Sequence, residues 1–426
     1  MKKSLSLVVI ISLIAVTASF QGCKKATEPT LTTTDVTDIT LNSAVSGGTI
    51  TSDGGEEILE KGVCWSISQS PTIADAKTMD GNGSGNFTSN LVGLDEGTPY
   101  YVRAYATNSV GTGYGNEVTF TTNQVTGAVL TTTEVSSVTS TSAVSGGNIT
   151  NAGGGAIIAR GVCWGTTINP TISGSKTTDG TSTGIFTSNI SGLSAGERYY
   201  YRAYATNSSG TTYGQEYSFL TPVTDIEGNV YKTVMIGTQV WMAENLKTTK
   251  YNDDTAIPNV TLNDDWVALT TDAYCWALND EATYKPLYGA LYNWYAVETD
   301  KLCPTGWHVP TDTDFSTLEI SLGMSQVDVS GTEWRGTDQG KQMKNTTGWS
   351  AGQNGTNTSG FSALPAGYRY YGTGQTLGLG LITYWWTSSE IDVLLATYRR
   401  LDGVEDKVYR GGTHKEAGKS VRCVKD

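Results

Sequence analysis

Apolar and polar residues alternate through much of the first half of this chain. Tyr100, Val102, Ala104 and Ala106 fall on one face, and Tyr101, Arg103 and Tyr105 fall on the other. The same alternation returns 99 residues later, with Tyr199, Tyr201, Ala203 and Ala205 set against Tyr200, Arg202 and Tyr204. A period of two marks strands with one buried face. Beyond residue 223 the alternation breaks into shorter runs, and two stretches carry helical spacing. Residues 288–297 place Leu291, Trp294 and Tyr295 on one face of a predicted helix. A second predicted helix starts after Pro310, with Thr311 as N-cap and Asp314 in a capping-box position. Phe315 and Leu318 follow as its apolar side, and it ends by Gly323. Near the amino end, residues 5–16 are apolar except for Ser6 and Ser12. That run falls well short of the ~20 apolar residues a spanning helix needs.

The alternating segments belong to an internal repeat without net insertion or deletion. Ser43-Ala44-Val45-Ser46-Gly47-Gly48 recurs as Ser142-Ala143-Val144-Ser145-Gly146-Gly147. Gly62-Val63-Cys64-Trp65 recurs as Gly161-Val162-Cys163-Trp164. Two tandem units of about 100 residues with strand patterning predict two β-sandwiches. The stretch from Leu94 through Tyr100 to Asn108 resembles the E–F corner and F strand of fibronectin type III modules. There a Tyr near the strand start ties back to the preceding loop. Glu197 and Arg198 replace Thr98 and Pro99 in the second copy, so a different corner is expected there. The expected boundaries are 29–122 and 128–222, followed by a separate domain at 224–426, with exposed links near 123–128 and 222–226. Each sandwich holds one cysteine, Cys64 or Cys163, and each is read as a buried free thiol.

Lys2 and Lys3, the short apolar run, small residues and then Gly22-Cys23 complete a processing signal. This segment resembles bacterial lipoprotein signals, in which the Cys after such a Gly becomes the lipidated first residue. The resemblance implies a signal peptide over 1–22, lipid on Cys23 and a linker over 23–28. It also implies an exported protein of the cell envelope, expected at the outer membrane on either face, with the lipid as its membrane partner. The formal charge of the whole chain is −13, and loss of Lys2 and Lys3 leaves −15. Such acidity excludes nucleic acid as a main partner, which requires a basic surface.

Nine of the eleven Trp lie beyond residue 223, so the last domain has its own aromatic core. Its motifs are Val240-Trp241-Met242-Ala243-Glu244-Asn245-Leu246, Tyr288-Gly289-Ala290-Leu291-Tyr292-Asn293-Trp294 and Cys303-Pro304-Thr305-Gly306-Trp307-His308-Val309-Pro310. Gly360-Phe361-Ser362-Ala363-Leu364-Pro365, Trp385-Trp386-Thr387-Ser388-Ser389-Glu390 and Ser420-Val421-Arg422-Cys423 continue the set. In order and over nearly all of 224–426, they resemble the Fibrobacter succinogenes major paralogous domain family. That family is found in exported bacterial proteins and implies no general activity. A weaker resemblance is to the C-type-lectin-like fold of formylglycine-generating enzymes. The implied architecture is two all-β sandwiches followed by an α+β C-type-lectin-like domain. On that resemblance the closing strand returns beside the core and pairs Cys303 with Cys423, with Cys275 as a rival partner for either.

The chemistry expected of this domain is binding rather than catalysis. The oxidase of the resembling fold uses a close pair of Cys near the domain end, and residues 391–422 contain none. Asn252-Asp253-Asp254 and Asn279-Asp280-Glu281 offer oxygen ligands of the type Ca²⁺ takes, but short acidic loops are ordinary on soluble surfaces, and no metal or cofactor is expected. His308 has no acid, His or Cys beside it in sequence and is read as structural, and His414 as a surface residue. Tyr368, Tyr370, Tyr371, Tyr384, Trp385 and Trp386 are the candidate ligand contacts, for a glycan or a protein. Core packing is their competing role, and Trp385 or Trp386 is expected to be mostly buried. The function expected is a noncatalytic binding or adhesion lipoprotein that presents its last domain on a two-sandwich spacer. An envelope enzyme with an unrecognised site and a purely structural envelope component are the alternatives. Replacing the lipid-bearing residue tests the first step: Cys23→Ala is expected to move the protein from the membrane fraction to the soluble fraction on cell fractionation, and full membrane retention would refute it.

Overall fold

The computed structural model describes residues 25–350 and 352–426, so the signal segment and Cys23 lie outside the described residues. It resolves into two compact units. One ends at Thr126 and takes in Gly153–Gly155, and the other holds Gly127–Ala152 and Ala156–Asp426.

The first unit is a β-sandwich. One sheet orders Thr30–Thr37, Ser43–Ser52 and Gly85–Val92, and the facing sheet orders Ala76–Lys77, Glu60–Ser66, Pro99–Thr107 and Thr112–Tyr114. Val118–Thr121 also pairs with Pro99–Thr107. The predicted inner face is buried as expected, with Tyr100, Val102, Ala104 and Ala106 all in the core. The repeated Gly-Gly follows from sheet-to-sheet packing: a Cβ on Gly48 would lie 2.6 Å from the Ala104 Cβ, and one on Gly147 would lie 2.7 Å from the Ala203 Cβ. The second sandwich repeats this plan with Val129–Ser136, Ser142–Asn151 and Gly184–Ser191 against Ala159–Gly165 and Arg198–Asn207. Both copies form the tyrosine corner. Tyr100 Oη accepts from the Asp95 N–H at 3.0 Å, and Tyr199 Oη accepts from the Ser194 N–H at 3.0 Å. The expectation that the second corner would differ is therefore corrected. The anchor is the Tyr hydroxyl on a backbone amide, which is indifferent to the side chains at 197 and 198. Cys64 and Cys163 are buried and free. Burial pushes the Cys64 thiol up to about 11, which makes it a poor nucleophile.

In the last domain a small sheet orders Thr233–Ile236, Gln239–Met242, Val424–Lys425 and Trp307–His308, so the chain end pairs with the domain start. A larger sheet orders Glu333–Arg335, Val408–His414, Leu395–Asp402, Ile382–Glu390, Ala366–Arg369 and Thr376–Leu379. Ile382–Glu390 divides two cores. Trp385 packs into one with Trp241, Phe315 and Phe361, and Trp386 packs into the other with Tyr292, Trp294 and Val421. Cys303 and Cys423 are joined in a disulfide and Cys275 is a buried free thiol. Closing a loop of 120 residues removes denatured-state entropy worth about 4–5 kcal/mol in the chain model.

The second predicted helix forms as Asp312–Ser321, with both halves of the capping box made by Thr311 and Asp314. The first does not. Residues 281–288 are helical, Gly289 turns the chain at φ +72°, Leu291–Tyr292 is a strand paired with Tyr274–Cys275, and Trp294–Val297 is a single turn capped by Asn293. A Cβ on Gly289 would sit 2.5 Å from the Leu246 carbonyl oxygen, so this close approach needs glycine. The apolar spacing that suggested one helix came from two elements burying residues in different directions. The link at 222–226 is also not the exposed joint the sequence suggested. Val223–Thr224 pairs with Val230–Tyr231, the Thr233 hydroxyl donates to the Thr221 carbonyl at 2.8 Å, and Lys425 pairs with Glu197 of the second sandwich.

Helix Asp312–Ser321 is fastened to the large sheet by charge. Arg399, fully buried, donates to Glu319 at 2.9 Å and to Asp312 at 2.7 Å. Arg335 meets Glu319 at 2.6 Å, and Arg410 meets Asp312 at 2.6 Å. Removing one partner of a buried ion pair leaves an uncompensated charge, which typically costs about 3–5 kcal/mol. Glu319→Ala is expected to lower stability by about that amount, read as a lower denaturant midpoint by Trp fluorescence. A change under ~1 kcal/mol would show that the cluster does not hold the helix.

Candidate functional site

The outer face of the large sheet carries a row of aromatic rings. Cross-strand register produces it: Trp334 faces Tyr409, Tyr409 faces Arg400, and Arg400 faces Tyr384. Two residues along the same strands, Tyr398 faces Trp386. Directly paired residues in antiparallel strands share a face, so these side chains stand together. The reverse face carries Arg399, Arg410 and Trp385, turned toward helix Asp312–Ser321 or its adjoining core.

The rings touch in sequence across the sheet. Trp334 lies 5.2 Å from Tyr409, Tyr409 5.9 Å from Tyr398, and Tyr398 5.2 Å from Tyr384. Tyr384 lies 4.7 Å from Tyr368, and Tyr368 6.5 Å from Tyr370. Tyr370 then lies 4.7 Å from Tyr371, and Tyr371 4.2 Å from the His414 ring. Tyr368, Tyr370, Tyr371, Tyr398, Tyr409 and Trp334 are half-buried, each with part of its surface open.

Two cations are set among these rings. Lys419 is only 2% exposed, and its Nζ lies 4.0 Å from the Tyr384 ring centre, 4.4 Å from Tyr398, 5.1 Å from Trp386 and 5.3 Å from Tyr368. Among the described residues no carboxylate pairs with it. Burial, and then the Arg400 charge, hold its pKa well below the ordinary lysine range. Ring quadrupoles offset part of that cost, about 0.5–2 kcal/mol per contact. Arg400 lies 5.2 Å from the Trp334 ring and 5.6 Å from Tyr384, and pairs with Asp402.

Of the six residues expected to contact ligand, the structure therefore brings four into this belt: Tyr368, Tyr370, Tyr371 and the largely buried Tyr384. Trp385 and Trp386 are each 0% exposed, so both are core. The strand pleat sends these two neighbours to opposite faces, and Trp386 reaches the site only through its ring beneath Lys419. Tyr398, Tyr409, Trp334, Arg400 and Lys419 were missed. The period-two spacing of Ala396, Tyr398 and Arg400 marks a strand face, but only sheet order shows that it adjoins Tyr384.

The other candidates have structural roles. Asp253 pairs with Lys301 at 2.8 Å, Asp254 pairs with Lys250 at 2.8 Å, and Asp280 caps the helix Glu281–Tyr288 through the Thr283 N–H. His308 is not isolated from acids, as its sequence neighbours suggested. Its Nε2 lies 3.2 Å from Asp314 and its Nδ1 2.6 Å from Asp426, because the terminal strand runs beside Trp307–His308. The hydrogen bond to Asp314 raises the His308 pKa, assisted by Asp426. Burial would raise Asp314, but bonds from His308 and Thr311 outweigh it and bring its pKa down to about 2.

These features define a mostly β, multidomain chain in which two fibronectin III-like sandwiches precede an α+β domain with an aromatic face. Residues 234–425 match the model of the Fibrobacter succinogenes major domain, which is the family the C-terminal motifs resemble. No curated protein matches the chain. Among solved structures it is similar to the FN1-FN3 domains of chicken CNTN1, at 14% identity over 46% of this chain and 69% of that one, with a TM-score of 0.22. A myokine structure is 21% identical over 23% of this chain and 99% of that one, with a TM-score of 0.18. The sensor domain of the anti-sigma factor RsgI4 in Pseudobacteroides cellulosolvens is 16% identical over 23% of this chain and 77% of that one, with a TM-score of 0.18.

The His308 pair gives a signed pH dependence. A raised His pKa contributes stability fully below its unfolded value of about 6.5 and loses it as pH rises through the folded value. The lowered Asp314 pKa contributes above about 4 and is lost as pH falls through about 2. The pair is therefore strongest between about pH 4 and 6.5. His308→Gln is expected to lower Tm more at pH 5.5 than at pH 8.5. An equal deficit at both would show that His308 stays neutral.

Proposed function

We propose that this protein is an exported, lipid-anchored binding protein without catalytic function, held at the outer membrane through Cys23. Its C-terminal domain is read as C-type-lectin-like, presented to a glycan on a two-sandwich spacer. The lectin-like reading draws on the pairing of the domain's first and last strands, the Cys303–Cys423 staple and the capped helix after Trp307-His308. The observation that carries the binding role is the continuous aromatic belt from Trp334 to Tyr371. Tyrosine presents an apolar ring face with a polar tip, which suits the alternating C–H faces and hydroxyl edges of sugar rings. A protein partner is the second reading, favoured by Arg400 among the rings, because Tyr, Trp and Arg are enriched at interface hot spots.

A glycan array probed with full-length Cys23→Ala protein tests this reading. Binding to a defined glycan is expected, and Tyr409→Ala should weaken it about tenfold, the loss of one well-packed ring. No glycan binding, or binding untouched by Tyr409→Ala and Tyr370→Ala, would overturn the assignment of the belt.

A further inference from the structure

A cavity distinct from the belt lies where segments far apart in the chain meet. It has a volume of about 290 Å³, and Asn245, Gly289, Ser362 and Arg422 contribute to its lining from those segments. Three lysines, Lys232, Lys247 and Lys285, also line it, and Glu244 is its acidic residue. Four cations against one carboxylate is a local excess of positive charge in a chain whose net charge is −13.

Arg422 is the unusual member. It is 1% exposed. Its Nη2 and Nε donate to the Asn245 Oδ1 at 2.9 and 3.2 Å, and its Nη1 donates to the Phe361 carbonyl. Both acceptors are neutral, and among the described residues no carboxylate forms an ion pair with it. A guanidinium has five N–H donors, so these bonds leave one N–H on each Nη without a protein acceptor. Burial lowers its pKa to about 9, opposed by the more distant Glu244, and the group remains charged at neutral pH. Its guanidinium lies 4.1 Å from the Phe361 ring centre and 5.5 Å from that of Trp385, so the rings offset part of the cost of burying it. No anion meets it among the described residues, and an oxyanion that reached it would relieve the remaining cost.

The rim lysines are not consumed by acids in the same way. Lys247 meets Glu244 at 3.8 Å and Lys285 meets Glu281 at 3.0 Å, both at half-exposed positions where such pairs are worth little. Lys232 has no ion pair among the described residues. Pro286, Leu287 and Leu364 supply apolar wall.

We propose that this cavity is a binding site for a small oxyanion-bearing ligand, a carboxylate or phosphate on a short apolar body, with Arg422 as its floor and the three lysines as its rim. Guanidinium N–H groups match the spacing of carboxylate and phosphate oxygens. The cavity size admits a ligand of several heavy atoms rather than a polymer, near the lower limit of small-molecule sites.

Thermal unfolding of full-length Cys23→Ala protein is the test, with sodium propionate and inorganic phosphate as probes against sodium chloride at matched ionic strength. A rise in Tm of a few degrees that saturates at millimolar probe is expected. Propionate alone, phosphate alone or both would identify the oxyanion source, and each supports the site. Phosphate also stabilises proteins by exclusion from their surfaces, so loss of the rise in variants is the criterion. Lys247→Gln with Lys285→Gln leaves the core intact and should weaken the saturating response at least fivefold. Arg422→Met should abolish it. A response equal in the parent and the double-lysine variant, or no saturating response to either probe, would overturn the proposal even if Arg422→Met fails to fold. Because the belt lies elsewhere, glycan binding and anion binding fail independently.

Discussion

Arg399 is the point on which the last domain turns. It is buried, it lies on a central strand of the large sheet, and it meets two carboxylates of one helix. Asp312 and Glu319 stand seven residues apart, about two helical turns, so both reach the sheet from one side of the helix. Arg410, on the adjoining strand, and Arg335, one strand further out, complete the lattice. Three cations and two anions fix the rotation and height of the helix more tightly than apolar contact would, because bidentate guanidinium bonds are directional. The helix N-terminus favours Asp312 as an anion, which strengthens the arrangement.

Fixing one face of the sheet decides the other. With Arg399, Trp385 and Leu401 turned to the helix side, the pleat turns Tyr398, Arg400, Tyr384 and Trp386 outward or toward the second core. A one-residue slip in any of these strands would exchange the two sets. The ionic lattice therefore fixes the register that builds the aromatic belt. Lys419 is placed under that belt by the segment that bonds to Tyr292 through both backbone groups. Its charge meets rings and no acid, and Arg422, three residues on, meets neutral oxygens. The closing segment thus carries two buried cations that the protein itself does not neutralise, within a chain that is acidic as a whole.

The second sandwich is bound to this domain by more than a linker. The paired strands at 223–231, the Thr233–Thr221 hydrogen bond and the Lys425–Glu197 ion pair cross the joint. Lys425 is next to the last residue, and its strand also pairs with Gln239–Met242 and Trp307–His308. The chain end, the domain start and the sandwich edge are thereby linked at one place, where His308 bridges Asp314 and Asp426.

Elements whose signals are local or repeated can be read from the residues alone. The strand faces of both sandwiches, the capped helix at 312–321 and the fate of Cys64 and Cys163 depend on neighbouring residues or on a duplicated unit, and these were legible. The Cys303–Cys423 pair was legible only through family resemblance, since spacing alone left Cys275 as a rival. The remaining features emerge only on folding, because each depends on residues far apart in the chain. Gly289 breaks the predicted helix because Leu246 approaches it from a segment 43 residues away. Trp385 and Trp386 are buried because two cores meet along their strand. The belt gathers residues from five strands whose order does not follow the chain, and the basic cavity gathers segments spread from Lys232 to Arg422. Alternation along a strand reports which side chains share its face. It carries no information about which strand lies beside it, and that adjacency is what assembles both sites.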